Sequence, residues 1–255
     1  MIGQFDGTTV LVLGASGGVG HAAAGMLLER GARVGLHYRG HSEPVEQLVG
    51  KYGPDKAVAV QADLTEIESL QAGVDTVVSS FGQLDGCLDT VGTALRMKPF
   101  LDIPEHDIDS TIAVELRSVI TVARATLPHL IASGRGRLVF VGSDSGKVGT
   151  SGEAISAACR GGIIALAKSL AREYARKNVL VNVICPGPTA TGLWDDLVKN
   201  DEFGGKLGTA MVRAIPLRRI AAAEEVASAA VFLLSAEASF ITGQAISVSG
   251  GLTMS

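Results

Sequence analysis

The sequence predicts an α/β protein built on a parallel sheet that is covered by helices on both faces. Short apolar segments alternate with longer segments of helical periodicity along nearly the whole chain. The short segments are almost continuously apolar, as is typical of strands buried on both faces. Hydrophobic residues make up 47% of the 255 residues, so a core of this kind can be buried.

Each strand is predicted where aliphatic and β-branched residues cluster, and a helix follows most of them. The predicted strands are 9–14, 32–38, 57–63, 84–92, 136–143, 179–187 and 244–251. The predicted helices are 18–31, 42–53, 66–82, 105–133, 155–175 and 223–235. Gly31 is typical of a helix end, and Ser42 of an N-cap. This order predicts one Rossmann-like, doubly wound domain of about seven strands spanning 1–255.

The segment 188–215 does not follow the alternation of strands and helices. It contains glycines and the single tryptophan, Trp194, and it comes directly after the sixth strand. In doubly wound folds, ligands bind at the carboxyl ends of the strands. The segment is therefore either a substrate lid or a plain surface insertion.

The bulk composition excludes several classes of protein. A net charge of −4 argues against a nucleic-acid partner, which usually requires a basic domain. The three cysteines, Cys87, Cys159 and Cys185, are too widely spaced for a disulfide framework or a zinc site, and the histidines show no metal-ligand spacing. The amino terminus shows no signal peptide, and no uncharged apolar stretch reaches membrane-spanning length. We therefore expect a cytoplasmic protein that contacts neither membranes nor metals.

The motif GASGGVG between the first strand and first helix predicts a dinucleotide site. Gly14 permits the tight turn, Gly18 lets the backbone approach a pyrophosphate, and Gly20 lets the helix pack on the sheet. Ser16 and Gly17 lie within the same turn. The free N–H groups and positive end of the helix favour phosphate binding. The alternative is a purely structural turn.

Residues after the second and third strands indicate which dinucleotide binds. The second strand ends in HYRGH, without the acidic residue that commonly bonds the ribose hydroxyls of NAD(H). Arg39 is available there for a 2′-phosphate, which favours NADP(H), although a solvated loop arginine is the alternative. Asp63 and Leu64 follow the third strand, where the Asp63 carboxyl can meet the adenine amino group.

These motifs together resemble the short-chain dehydrogenase/reductase family over nearly the whole chain. The segment GRLVFVGSDSG is similar to the one that carries the family's catalytic serine, which implies that role for Ser143. The segment VNVICPGPTATG is similar to the Pro-Gly segment that passes the nicotinamide, which implies this contact for Pro186, Gly187 and Thr189. The family's helices equivalent to 110–132 and 155–175 form subunit interfaces, so the resemblance implies a homo-oligomer, a dimer or a tetramer.

Four positions depart from the family pattern. The Asn-Asn-Ala-Gly after the fourth strand is replaced by Asp-Thr-Val-Gly at 89–92. The resemblance still implies cofactor contact for Asp89 and Gly92. The tetrad asparagine aligns with Glu115, the tyrosine with Ser156 and the lysine with Arg160. Only the tetrad's serine is retained.

The substitutions remove the usual acid–base pair. Tyrosine titrates near ~10 and a nearby cation lowers its pKa, whereas serine has no comparable acidity. Arginine remains protonated and cannot release a proton during turnover. A buried Arg160 requires an anionic partner, and we expect an ion pair with Glu115 beneath the nicotinamide pocket. The alternative is that Arg160 points to a cofactor ribose or to solvent.

One hypothesis is an atypical reductase of an activated C=C bond. Conjugate hydride addition places charge on a remote oxygen, which Ser143, Ser156 or Arg160 can stabilise. The carbon is then protonated by water or by a carboxylic acid such as Asp144 or Glu115.

Two further hypotheses remain open. A ketone reductase would need a proton donor from elsewhere, such as Lys147 or a residue of the 188–215 segment. A catalytically silent dinucleotide-binding protein would serve as a sensor or as a subunit of an active partner. The glycine turn and the Pro-Gly segment favour cofactor binding in all three cases and do not separate them.

Overall fold

A seven-stranded parallel sheet forms the centre of the computed structural model, which describes residues 4–92, 97–199 and 202–255. The strands are β1 (Thr9–Leu13), β2 (Arg33–Tyr38), β3 (Ala57–Gln61), β4 (Gly86–Asp89), β5 (Arg137–Val141), β6 (Leu180–Pro186) and β9 (Ala245–Val248). Their order in the sheet is β3-β2-β1-β4-β5-β6-β9. The order reverses between β1 and β4, so a crevice opens at the carboxyl ends of these two strands. The predicted doubly wound α/β fold is confirmed.

The helices cover both faces of the sheet. They are α1 (Gly18–Glu29), α2 (Glu43–Tyr52), α3 (Ile67–Phe81), α4 (Glu105–Ile112), α5 (Ser118–Ser133), α6 (Ser145–Val148), α7 (Ala154–Tyr174), α8 (Gly192–Lys199), α9 (Glu202–Ala214) and α10 (Ala223–Leu234). One core contains α1, α2 and α10, and the other contains α3, α5 and α7. Strand β1 serves both, because Val10 and Val12 face the first core while Leu11 and Leu13 face the second.

The single long helix predicted over 105–133 is wrong in one respect. A π-helical turn, Ala113–Arg117, interrupts it between α4 and α5. Apolar periodicity runs through this region, so the pattern does not indicate the wider turn. The turn contains Glu115, which is only 2% exposed and lines the crevice. Single π turns of this kind frequently occur at functional sites.

Several predicted element boundaries also differ from the structure. β9 ends at Val248 rather than at 251, because Gly250 has a positive φ of 62° that leaves the extended conformation. β4 ends at Asp89, where the side chain turns back to the Val91 N–H. Ser42 precedes α2 as predicted, but its side chain makes no capping hydrogen bond. The short helix α6 was not predicted, since four residues are too few for a periodic pattern.

The region 188–215 folds as a short strand and two helices. Its strand β7 (Thr189–Ala190) pairs in parallel with β8 (Ala221–Ala222), and α8 and α9 follow β7. Residues 200 and 201, within the predicted lid, lie outside the described residues. Trp194 of α8 and Leu207 of α9 line the crevice.

Helix α7 is 21 residues long. With the turn that follows it, Ala154–Lys177 is long and apolar enough to cross a membrane, and it is the one such helix within the described ranges. Its side chains Cys159, Ile163 and Ala167 are buried, and Ile163 and Ala167 pack in the sheet's core. The core helix of a protein without a membrane passes the same length and composition test.

Candidate active site

A cavity of about 1190 Å³ occupies the crevice at the carboxyl edge of the sheet. Typical ligand pockets measure about 300–1,000 Å³, so this cavity has room for a ligand larger than most. It runs from the turn between β1 and α1 to the helices α8 and α9. Most of the side chains that the sequence predicted to act together therefore line one continuous space.

The glycine turn forms the floor of one end of this cavity. Gly14 adopts a φ of 81°, and its carbonyl accepts a hydrogen bond of 2.9 Å from the Gly17 N–H. A Cβ on Gly20 would lie 2.2 Å from the Gly14 carbonyl oxygen, so only glycine fits there. The first N–H groups of α1 face the cavity beside Ser16 and Gly18. The turn therefore has the shape and polarity that a pyrophosphate requires.

A buried histidine, His37, supports the glycine turn and was missed by the sequence analysis. Its Nδ1 accepts a hydrogen bond of 3.0 Å from the Gly14 N–H, which assigns the proton to Nε2, 3.0 Å from the Ala62 carbonyl oxygen. The ring therefore joins the ends of β1, β2 and β3. Burial lowers the pKa of His37, and the Gly14 bond requires its neutral form. A single histidine in an apolar strand carries no spacing signal, so the pattern did not reveal it.

The residues predicted for the adenosine end lie together at the ends of β2 and β3. Arg39 is exposed and lines the cavity, as do Asp63 and Leu64. The Asp63 carboxylate accepts hydrogen bonds from the Thr65 hydroxyl (2.7 Å) and N–H (2.9 Å). These two bonds are the main reason that the pKa of Asp63 is lowered, with a smaller contribution from the charge of Arg39. Their contacts with a dinucleotide remain predictions.

Asp89 is an exception among the predicted cofactor contacts. Its side chain is 2% exposed and does not line the cavity, whereas Gly92 does. One carboxylate oxygen accepts a 3.0 Å hydrogen bond from the Val91 N–H, so Asp89 shapes the loop after β4 instead of facing a ligand. Burial raises its pKa to about 6, despite the opposing effects of the Val91 bond and the Arg160 charge.

The departures from the family tetrad form one connected network. Arg160 Nη2 lies 3.0 Å from Glu115 Oε1, and the two side chains are 8% and 3% exposed. The predicted Glu115–Arg160 ion pair is therefore confirmed, and the alternative in which Arg160 points to solvent is wrong. Arg160 Nη1 also donates to the Val141 carbonyl oxygen at 3.0 Å. The Ser156 hydroxyl donates to Glu115 Oε2 at 2.6 Å, so Glu115 holds both substituted side chains in place.

The Arg160 guanidinium leaves no room for a side chain at Gly92. A Cβ at Gly92 would lie 2.7 Å from Arg160 Nη2. The backbone after β4 therefore passes directly against the cation. Glu115, Ser156, Arg160 and Gly92 all line the cavity.

Ser143 lies on the same cavity at the end of β5. Its Oγ accepts hydrogen bonds from the Ser145 hydroxyl (2.9 Å) and the Ser145 N–H (3.2 Å). A serine hydroxyl has one donor hydrogen and two acceptor sites, so the Ser143 hydrogen remains available to a ligand. Ser156 has the opposite role, because its hydroxyl hydrogen is donated to Glu115 and its oxygen can accept a hydrogen bond from a ligand.

The wall at the end of β6 consists of the predicted Pro-Gly segment. Pro186, Gly187 and Thr189 line the cavity, and the Thr189 hydroxyl donates to the Gly187 carbonyl oxygen at 2.9 Å. A Cβ at Gly187 would lie 2.9 Å from the Ser249 Cβ, so the close approach of β6 and the carboxyl-terminal segment requires glycine.

Of the two alternative proton donors, Lys147 lies away from the cavity, whereas Asp144 lines it. The Lys147 amine donates to the Ser247 hydroxyl (2.9 Å) and to the Ser255 carbonyl oxygen (2.5 Å), and Lys147 does not line the cavity. It is therefore wrong as a donor, because α6 directs it toward the carboxyl terminus. Asp144 is 4% exposed, and its carboxylate oxygens are buried away from solvent.

A carboxyl group that the sequence analysis missed, Glu153, lines the cavity one residue before α7 begins. Its pKa is raised to about 7, mainly by burial and also by the Glu115 charge, against the opposing effect of the Arg160 charge. A glutamate before a helix is common, and its burial depends on residues distant in sequence. Its spacing of three residues from Ser156 is the one signal that the sequence offered.

The fold and this cavity define a dinucleotide-binding protein of the doubly wound α/β class. A family model described as enoyl-(acyl carrier protein) reductase matches residues 14–253. The chain belongs to the short-chain dehydrogenase/reductase family. Members of this family use a nicotinamide dinucleotide, act on small molecules and are commonly oligomeric.

Three relatives illustrate the extent of the similarity. The oxidoreductase UcpA of Salmonella typhimurium is 35% identical, covering 99% of this chain and 97% of its own. The 3-oxoacyl-[acyl-carrier-protein] reductase FabG of Vibrio cholerae is 34% identical over 98% of this chain and 99% of its own. The 3-oxoacyl-[acyl-carrier-protein] reductase FabG of Staphylococcus aureus is 33% identical over 96% of this chain and 98% of its own. The similarity therefore covers nearly the whole chain.

Proposed function

We propose that the protein is an NADP(H)-dependent oxidoreductase that reduces a carbonyl group or an activated C=C bond of a small molecule without a tyrosine proton donor. The observation that carries this proposal is the network of Ser156, Glu115 and Arg160, which lines the same cavity as Ser143 and the glycine turn. Ser156 and Arg160 are both hydrogen-bonded to Glu115, and all three line the cavity. A site that had merely lost its function would not require such complementary replacements.

The cofactor would supply a hydride to the substrate carbon when bound. The glycine turn would hold its pyrophosphate, and Arg39 would pair with a 2′-phosphate through charge-assisted hydrogen bonds. Pro186, Gly187 and Thr189 would line the nicotinamide. Family membership supports a nicotinamide dinucleotide in this cavity, and the exposed Arg39 supports the phosphorylated form.

The hydrogen-bonding pattern favours a substrate oxygen that changes between a carbonyl and a hydroxyl. The free hydrogen of Ser143 can be donated to a carbonyl oxygen, and the oxyanion that forms on reduction is stabilised by that bond. The Ser156 oxygen can accept a hydrogen bond from the resulting hydroxyl, because its own hydrogen is donated to Glu115. The nearby Arg160 charge also favours the oxyanion.

Reduction of an activated C=C bond is the second candidate. It is supported by the description of the matching family model, enoyl-(acyl carrier protein) reductase. The reaction would place negative charge on a carbonyl oxygen conjugated with the reacting carbon. Ser143 can donate to that oxygen in the same way. The two candidates differ in the carbon that receives the hydride.

Stopped-flow oxidation of NADPH against matched ketones and enones tests the proposal. We expect turnover with at least one of the two substrate classes, and product analysis will show which carbon is reduced. Micromolar binding of NADPH without turnover of any member of the panel would contradict the proposal. That result would support the alternative, a silent dinucleotide sensor or a subunit of an active partner.

A variant of Arg39 tests the choice of cofactor. Arg39→Gln removes a cation whose bond to a phosphate is worth roughly 1.5–3 kcal/mol, so we expect NADPH affinity to fall at least about tenfold while NADH affinity hardly changes. Arg33→Gln is the control, since Arg33 is the first residue of β2, the strand that Arg39 directly follows, and does not line the cavity. Equal loss of both cofactors would contradict the assignment.

Two structural expectations belong to the same proposal. The segment 188–215 would act as a substrate lid, which is supported by Trp194 and Leu207 lining the cavity. The protein would form a homodimer or homotetramer, as is common in the family. Limited proteolysis with and without NADPH, and light scattering, test these expectations.

A further inference from the structure

Reduction of a carbonyl requires a group that holds a proton near neutral pH and releases it. None of the three network residues meets this requirement. The Ser156 hydroxyl has too little acidity, and Arg160 does not release its proton. Glu115 is paired with Arg160 and accepts the Ser156 hydrogen, both of which stabilise its charged form.

The other charged groups around this part of the cavity are also unsuitable. Lys98 and Asp107 line it but form an ion pair with each other at 3.2 Å. The Asp144 oxygens are sealed from solvent, so a proton that they released would not readily be replaced. Asp63 lies at the opposite, adenosine end and is bonded to Thr65.

Glu153 has the geometry that these groups lack. It is the residue immediately before α7, three positions before Ser156, so both side chains lie on the same face of the first helical turn. Both line the cavity. Among the described residues, none donates a hydrogen bond to the Glu153 carboxyl or lies within ion-pair distance of it. Its side chain is partly exposed, so it retains contact with solvent.

Apolar residues next to Glu153 contribute to its partial burial. A Cβ on the preceding Gly152 would lie 3.0 Å from Leu207 Cδ1 and 3.3 Å from Phe203 Cε1, both on α9. It would also lie 3.0 Å from the Met97 Cβ. Apolar side chains therefore cover the backbone next to Glu153. The negative charge of the Glu115 carboxylate also raises the pKa of Glu153.

We propose that Glu153 is the catalytic acid, which gives its carboxyl proton to the oxygen or carbon of the substrate that becomes negative on hydride addition. This inference rests on the proposed reductase function. In the step, the carboxyl O–H bond breaks and its electron pair stays on the carboxylate. The proton forms the new O–H or C–H bond of the product. Solvent then reprotonates Glu153.

The electrostatics of Glu153 support this role. Its pKa of about 7 means that both protonation states are populated near neutral pH. A group of this kind can donate a proton and regain it within one turnover. The reduction should consequently slow as the pH rises above about 7, because the acid form disappears.

Glu153→Gln tests the role directly, with Glu173→Gln as the matched control. Glu173 is exposed near the far end of the same helix and does not line the cavity. General acid catalysis contributes typically 10²–10⁴-fold, so we expect kcat for Glu153→Gln to fall at least about 10²-fold with little change in NADPH affinity. We also expect that the remaining rate of this variant will not decrease above about pH 7, unlike that of the wild type. An unchanged kcat and pH profile would overturn the inference.

A second pair of measurements separates this inference from the proposed function. Carbon-13 labelling of glutamate side chains should reveal one carboxyl that titrates near pH 7 and is missing in Glu153→Gln, whether or not a substrate is known. Absence of that signal would overturn the inference. In Glu153→Ala, added acetate should restore activity, since it can occupy the vacated space and carry a proton. Wild-type protein that shows the titration but no turnover would refute the reductase function and leave the proton-holding group established.

Discussion

Removal of the Arg160 cation is the perturbation whose cost follows most directly from the structure. Arg160→Met replaces a guanidinium that is hydrogen-bonded to Glu115 and to the Val141 carbonyl oxygen, both at 3.0 Å. The paired side chains are 8% and 3% exposed, so solvent cannot replace the lost bonds easily. Breaking a buried pair by removing one partner costs roughly 3–5 kcal/mol. We therefore expect the free energy of unfolding to fall by about 4 kcal/mol.

Urea unfolding at pH 7 of the wild type, Arg160→Met, Glu115→Gln and the double variant measures this cost and its origin. Because the two side chains contact each other, the double variant should be more stable than the sum of the single effects predicts. The expected coupling energy is at least about 1 kcal/mol, within the range for residues in one ion-pair network. Arg172→Met is the control, since Arg172 is exposed on the same helix and surface changes usually stay within about 0.5 kcal/mol.

The reasoning would be refuted if Arg160→Met lost less than about 1 kcal/mol and the two single effects were additive. That result would mean that the pair is not formed in solution or is well hydrated. The argument that Arg160 and Ser156 stabilise the charged form of Glu115 would then lose its support.

Three further predictions concern the cofactor end and the interior. Gly20→Ala should abolish NADPH binding, since its Cβ would lie 2.2 Å from the Gly14 carbonyl oxygen. Gly25→Ala on the same helix is the control, because its Cβ would meet no atom within 4 Å and the change should be neutral or slightly stabilising. Fluorescence titration measures NADPH binding by the two variants, and urea unfolding measures their stability. Asp89 has a pKa of about 6 in the fold against 3.8 ordinarily, so its charging opposes folding as the pH rises, and Asp89→Asn should gain up to about 3 kcal/mol relative to wild type between pH 4 and pH 8. The lowered pKa of His37 means that the unfolded chain binds its proton more readily, so stability should decline as the pH falls below about 6.5, and thermal unfolding of His37→Gln should lack this component.

The sheet was predictable from the sequence because strand burial and helix periodicity are local patterns. The apolar segment ending at Leu13 and the glycines from Gly14 to Gly20 placed both the central strand and the cofactor turn. The Glu115–Arg160 pair was also predictable, since a buried arginine requires an anion and the resemblance to the family placed the two positions close together.

Other parts of the site depend on contacts that no local pattern encodes. The π turn around Glu115 has no distinguishing periodicity, and the direction of Lys147 depends on where the carboxyl terminus lies. Asp89 does not line the cavity, and its carboxylate accepts a hydrogen bond from the Val91 N–H in the loop that follows β4. The raised pKa of Glu153 comes mainly from burial and then from the Glu115 charge, and Glu115 is distant in sequence.

The central claim is that hydride transfer takes place in this cavity although the tyrosine and lysine are replaced. Mass spectrometry of products formed with NADPH carrying deuterium at the transferable position tests it most directly. We expect one deuterium to appear in the reduced carbonyl or alkene product, and none with protein that carries Gly20→Ala. Saturable NADPH binding with no deuterium in any product across ketones and enones would contradict the account.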